Sequence, residues 1–259
     1  MRLYSYFKDA MYYCNDEFIG IGKYPFWLIN KYHKICENTV INKSSFCVVT
    51  ASLLKEKLKK INHNTFLIPL GGPALGDIKV VPRKVAQTGL IHVTLIYVGT
   101  RNLDHDLIND LLLKENILIE CVGPRDEEFE NKILKHKNIS FTGVLKGMDL
   151  FQAINKADVG IAPYVLNKLS IGVTPNKLWN YLALGKPVVI SDLPNLKLID
   201  YPDKFVYKYK SRTDFYDLIV KAHEENNDSL IEKRLKFADS NSWDKRVEEF
   251  LIIAKDFFK

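Results

Sequence analysis

The sequence predicts an α/β fold: a doubly wound parallel sheet from about residue 73 onward, preceded by a partial second α/β segment. Three observations carry this. From residue 93, short apolar runs alternate with longer amphipathic ones, the pattern of strands joined by crossover helices. The runs "VTLIYVG", "ILIECVG" and "PVVIS" are apolar almost throughout, as strands buried on both faces are. Glycine or a basic residue follows most of these runs, in the loops that such a sheet lines up along its ligand-binding edge.

The first seventy residues offer strand candidates "AMYYC" and "FCVVTA", a helix candidate "LKEKLKKI", and a closing "TFLIPLGG". That is about half of an α/β unit, too little for a sheet covered on both faces. The run Gly71-Gly72-Pro73 punctuates the boundary, so residues 1–72 are expected to form a partial segment and 73–259 a complete domain.

Within that domain "VTLIYVG" is a strand ending in Gly99, and "DHDLINDLLLK" a helix with its acids early, where they suit the helix dipole. "ILIECVG" is a second strand, followed by "PRDEEFENKILKH", a helix opened by Pro124 and acids. "ISFTG" is a third strand; "GMDLFQAINKA" is a helix whose Leu150, Phe151 and Ile154 form an apolar stripe, and "DVGIAP" is a fourth strand. The stretch "TPNKLWNYLALGKPVVIS" (174–191) then holds a helix start, a helix stop and a strand. Thr174 suits the N-cap and Pro175 the first helical position, while Gly185 leaves the helix and Pro187 forbids its continuation. "KFVYKY" is a sixth strand, with helices at roughly 212–225, 228–239 and 243–258.

The front edge of the 174–191 helix raises the question of chemistry. Its N-terminus presents unpaired N–H groups and positive dipole, and Lys177 adds a cation that opposes that dipole. An anion between them, phosphate being the usual one, would reconcile the two. A solvated surface lysine is the competing reading. The loops "GTRN" (99–102), "GPRD" (123–126), "GVLKG" (143–147) and "SDLPN" (191–195) fall on the same edge. Asp104 and Asp106, near Arg101, read as helix-capping residues before they read as metal or sugar ligands.

Other chemistries lack their motifs. Gly99 belongs to no GxGxxG, and neither a GxxxxGK[ST] loop nor a GxSxG elbow occurs. The six histidines show no HExxH spacing, and Cys14, Cys36, Cys47 and Cys121 no CxxC, so metal and disulfide frameworks are not expected and a reducing cytoplasm is. No apolar run approaches the ~20 residues of a membrane span. The net charge of +6 is concentrated early, with ten Lys and Arg against five Asp and Glu in residues 1–70. Lys55, Lys57, Lys59 and Lys60, near the aromatic "YPFWLINKYHK", suggest peripheral contact with an anionic membrane surface; a solvated helix face explains them equally well. The basic residues are too scattered for a nucleic-acid groove.

Taken together, "YVGTRNLDHDLI", "IECVGP", "ISFTGVL", "ADVGIAPY" and above all "TPNKLWNYLALGKPVVISDLP" resemble the donor-binding half of GT-B glycosyltransferases, a Rossmann-like domain. The bacterial polysaccharide branch, similar to teichuronic acid glycosyltransferases, is the nearest likeness. "NSWDKRVEEFL" resembles that family's closing helix, so 243–259 is expected to pack back on the first segment, itself like the end of an acceptor domain. The resemblance implies transfer of a sugar from a nucleoside-diphosphate sugar to a glycan or lipid-linked acceptor in surface polysaccharide synthesis, at the inner face of the membrane. Gly99, Arg101, Thr174, Asn176 and Lys177 would then bind the diphosphate. Thr142, Gly143, Val144 and Leu145 would hold the base, Asn180 the ribose, and no metal or other cofactor is required. Asp16 is the candidate catalytic base. Two departures stand out. The glutamate pair of many retaining relatives is matched here by Gly172 and Asn180, and most of an acceptor domain is missing ahead of "YYCNDEF". A truncated chain, a partner subunit supplying that domain, or a non-catalytic nucleotide-sugar-binding remnant would each account for the second. A flavodoxin-like binding domain would explain the sheet but leave "TPNKLWNYLALGKPVV" without a purpose.

Overall fold

The structure, a computed structural model, describes residues 9–15, 27–82, 89–97, 102–133, 136–167 and 175–258. Two parallel sheets organise it. The smaller contains β1 (Met11–Cys14), β2 (Phe46–Val49) and β3 (Thr65–Leu67) in that order, with α1 (Trp27–Lys43) and α2 (Ser52–Lys59) as crossovers. Sequence reasoning did not find α1. Its Ile29, Tyr32 and Ile35 are exposed, so no buried stripe marks it as a helix.

The larger sheet has six strands: β4 (Ile91–Ile96), β5 (Ile117–Val122), β6 (Ile139–Gly143), β7 (Val159–Ala162), β8 (Val188–Ser191) and β9 (Val206–Tyr209). Their spatial order is β6-β5-β4-β7-β8-β9, all parallel, which is the doubly wound arrangement expected. Between them run α3 (His105–Leu112), α4 (Glu127–Lys132), α5 (Gly147–Lys156) and α6 (Lys177–Leu182), followed by α7 (Arg212–Glu224), α8 (Asp228–Asp239) and α9 (Trp243–Phe257). One face packs Val93, Leu95, Ile119 and Cys121 under Leu107 and Leu111 of α3 and Ile219 of α7. The other packs Ile96, Val188 and Ile190 under Ile154 of α5, Leu178 and Leu182 of α6, and Ala238 of α8. Burial on both faces is why these strands read as continuous apolar runs.

Two helix starts differ from the sequence reading. The carboxylate of Asp126, not Pro124, opens α4 by accepting from the Phe129 N–H. Helix α6 begins at Lys177 after a tight turn in which Leu178 N–H donates to Pro175 O and Trp179 N–H to Asn176 O, so Pro175 precedes the helix instead of starting it. Its far end follows expectation: Gly185 sits at φ 71°, its N–H donates to Leu182 O and that of Lys186 to Tyr181 O, closing the helix left-handed.

The two sheets meet at two chain crossings. Gly72 N–H donates to Asn241 O, and Trp243 N–H to Gly72 O. A Cβ on Gly72 would lie 2.5 Å from Cβ of Trp179, so only glycine lets the crossing lie this close to α6. Beyond it, α9 covers one face of the small sheet, stacking Phe257 on Phe46 at 4.9 Å between ring centroids.

Candidate functional site

A cleft of about 710 Å³ opens at the carboxyl ends of the strands, between the two sheets. Asn15 and Leu70 line it from the side of the small sheet. Across from them stand Ile96 and Tyr97 at the end of β4, and Val122, Gly123 and Pro124 at the end of β5. Tyr164 follows β7, and Asn176, Lys177 and Asn180 come from the start of α6. In the order β6-β5-β4-β7-β8-β9 the winding reverses between β4 and β7, and there a doubly wound sheet leaves its ligand crevice.

Local structure explains how each wall is placed. A Cβ on Gly123 would meet the Tyr97 carbonyl oxygen at 2.4 Å, so glycine there lets the β5 turn lie against the Tyr97 ring. Gly143, at φ 79°, turns the chain out of β6 into the left-handed region, and the segment Val144 to Lys146 then lines the cleft. Tyr164 is fixed through its backbone: its N–H donates to Ser191 Oγ at 2.7 Å, and the same hydroxyl donates back to the Tyr164 carbonyl. The Ser191 hydroxyl also lies 2.8 Å from that of Tyr209.

Lys177 is the electrostatic focus. It is half-buried, with its Nζ 5.3 Å from the centroid of the Tyr164 ring, and no carboxylate among the described residues forms an ion pair with it. Burial pushes its ammonium down to about 8 and the Tyr164 phenol up to about 12. A desolvated cation accompanied by a ring face but, among the described residues, by no carboxylate gains most from an incoming anion. The Leu178 and Trp179 N–H groups are spent in the turn, so the helix start offers fewer donors than the sequence suggested. Lys177 and Asn180, three residues apart, share one helix face.

Of the expected site residues, the structure brings together Asn176, Lys177, Asn180, Val144 and Leu145. Thr142 and Gly143 do not line the cleft: the Thr142 hydroxyl donates to Cys121 O and Gly143 O, which builds the preceding turn. Asp16, Gly99, Arg101 and Thr174 lie outside the described residues. Sequence reasoning missed Asn15, Leu70, Tyr97 and Tyr164; the last ends the run "ADVGIAPY", and the others were not singled out by any local signal. Among the described residues no three His, Cys, Asp or Glu side chains gather as a metal ion would require, and no helix is long and apolar enough to cross a membrane.

Over residues 78–225, more than half of its length, the chain matches the family described as Glycosyl transferases group 1. TuaH of Bacillus subtilis (strain 168), whose name assigns it to teichuronic acid biosynthesis as a glycosyltransferase, is 28% identical over 176 residues, or 64% of this chain and 44% of TuaH. The chain thus spans less than half the length of that relative. Among solved structures, a sucrose-phosphate synthase from Thermosynechococcus elongatus superposes with a TM-score of 0.72 at 15% identity, over 99% of this chain and 70% of that one. HepE of Anabaena, solved in complex with UDP, gives 0.68 at 12% identity, over 96% of this chain and 72% of HepE. At such identities the likeness is one of fold, the two-sheet arrangement of GT-B glycosyltransferases.

Proposed function

The chain belongs to the group 1 glycosyl transferases, and from that premise we propose that its cleft holds a nucleoside-diphosphate sugar for transfer to a glycan or lipid-linked acceptor of a surface polysaccharide. Lys177 supports this most: a half-buried cation with no carboxylate partner among the described residues, at the switch point of the sheet. In the reaction the bond between the anomeric carbon and the diphosphate oxygen breaks, and the nucleoside diphosphate leaves with both electrons. An acceptor hydroxyl oxygen bonds to that carbon and gives up its proton to a base. Asp16, next in sequence to the cleft-lining Asn15, is the candidate.

Lys177 offsets the charge that grows on the leaving diphosphate, joined by Asn176 and, from the sequence, by Gly99, Arg101 and Thr174. One such donor is typically worth about 10²–10³ in rate. Val144 and Leu145 hold the base through their backbone, and Asn180 a ribose or sugar hydroxyl. Neutralisation by side-chain cations lets the site work without a metal ion. Calorimetric titration with UDP, GDP, ADP and CMP tests the reading; we expect one of them to bind tightly, with UDP the first to try. Binding of none would sink it.

A second reading has its own support. The small sheet contributes only Asn15 and Leu70 to the described lining. This chain would then be the donor-binding half, and a partner subunit would complete the acceptor side. Nucleotide binding without transfer to any acceptor, restored by a second polypeptide, distinguishes the two. At the inner face of a membrane, exposed Tyr32 and Ile35 beside Lys31 and Lys34 of α1 would meet anionic lipid. Lys57 is less available, being paired with Glu37 at 3.4 Å. Sedimentation with phosphatidylglycerol vesicles, absent with phosphatidylcholine ones, is the expected result.

A further inference from the structure

We propose that Tyr181 is a positioning residue for this site: its buried hydroxyl pins α6, and with it Lys177 and Asn180, to the ends of β4 and β7. The proposal rests on the reading of the cleft as a diphosphate site.

The β4–β7 ladder ends at the pair Leu95 and Ile161, where the two strands part to open the crevice. Beyond that pair the Ile96 N–H needs another acceptor, and it donates to the Tyr181 hydroxyl at 2.9 Å. The same hydroxyl lies 2.8 Å from Thr94 O and 3.2 Å from Ile161 O, within donating distance of both. One side-chain atom therefore joins both strands at the point where the sheet divides. Tyr181 is fully buried, and burial pushes its phenol far above the ordinary range, so it stays a neutral O–H in this role.

The fold makes room for it. A Cβ on Gly160 of β7 would lie 2.3 Å from Tyr181 Cγ, so glycine at that strand position is what admits the ring. Lys177 stands four residues before Tyr181, one turn along the same helix face, and Asn180 is its neighbour. Ile96, which Tyr181 bonds, itself lines the cleft. With no carboxylate among the described residues to hold its ammonium, Lys177 takes its place in the cleft from the helix, and the helix takes its place from Tyr181.

The test is UDP titration by calorimetry, well below the unfolding temperature, on the wild type, Lys177→Ala, Tyr181→Phe and Tyr207→Phe. The last removes another tyrosine hydroxyl: Tyr207 lies on β9, at the sheet edge away from the cleft, and donates to Glu225 at the end of α7 at 2.8 Å. Tyr181→Phe is expected to weaken UDP roughly tenfold, the size of one well-placed contact. It should also move the alkaline limb of binding to higher pH, because a loosened helix returns water to Lys177. Tyr207→Phe should change neither. If Tyr181→Phe does not fold, Gly160→Ala, which keeps the hydroxyl but displaces the ring, carries the same expectation. UDP affinity within about twofold of wild type, with the limb unmoved while Lys177→Ala is weakened, overturns this proposal alone. A wild type that binds none of UDP, GDP, ADP and CMP overturns the donor-site reading and this one with it; if another of the four binds instead of UDP, that nucleotide carries the same comparison.

Discussion

The two sheets are built by the same rule and end in different states. In the six-stranded sheet both faces are closed by helices that lie between its own strands or directly after them, and it supplies all but two of the described cleft residues. The three-stranded sheet has strands of four, four and three residues, and among the described residues one face is closed by α9 alone, from the far end of the chain. Exposed Tyr13, Leu53 and Tyr32 surround it. A parallel sheet needs cover on both sides. The large sheet obtains it locally, and the small one borrows it over about 200 residues of sequence, a separation that costs loop-closure entropy but is tolerated.

The largest expected effect tests that borrowing. Phe46 is fully buried against Phe257 and Phe66, and Phe46→Ala should cost about 3–5 kcal/mol. The loss should appear in chemical denaturation as an early transition of the small sheet, with UDP affinity of the folded protein unchanged. A single transition shifted as a whole would show that the two sheets unfold as one. Next comes the junction. Gly72→Ala drives a Cβ to 2.5 Å from Trp179 Cβ, and about 1–3 kcal/mol should be lost, this time with a change in UDP affinity because Trp179 belongs to α6.

A pH series separates site from scaffold. Burial lowers Lys177 to about 8 from 10.5, so between those values the unfolded chain holds a proton that the folded one has lost. Stability of the empty protein should therefore rise with pH across that window, while UDP binding falls as pH climbs through about 8. The two slopes have opposite signs, and Lys177→Ala should flatten both. At the small end, Lys132→Ala breaks an exposed pair with Glu128 at 2.6 Å and should move stability by at most ~0.5 kcal/mol.

How much the sequence disclosed follows the same division. "ISFTG" is β6 residue for residue, and the helix expected at 228–239 is α8. Such elements are legible because their signal is local: a short run closed by Gly143 for the half-buried edge strand β6, and a periodic stripe for α8. Helix α1 was not legible, since its exposed Ile29, Tyr32 and Ile35 leave no stripe. In the site, Lys177 and Asn180 could be named from a strand–helix boundary and a resemblance. Asn15, Leu70 and Tyr97 could not, because only the closure of one sheet over the other brings them to the cleft. The turn before α6 was missed for a subtler reason. Pro175 suits a first helical position, yet its carbonyl is taken by Leu178 and the helix starts later.

The central claim is that Lys177 is the counter-charge for a diphosphate. The most direct measurement compares UDP with uridine, by calorimetry, on the wild type and on Lys177→Ala. The two ligands share a base and ribose and differ only in the anion. The account predicts that Lys177→Ala costs UDP about 1–3 kcal/mol and leaves uridine untouched. An equal loss for both ligands, or none for UDP, would contradict it.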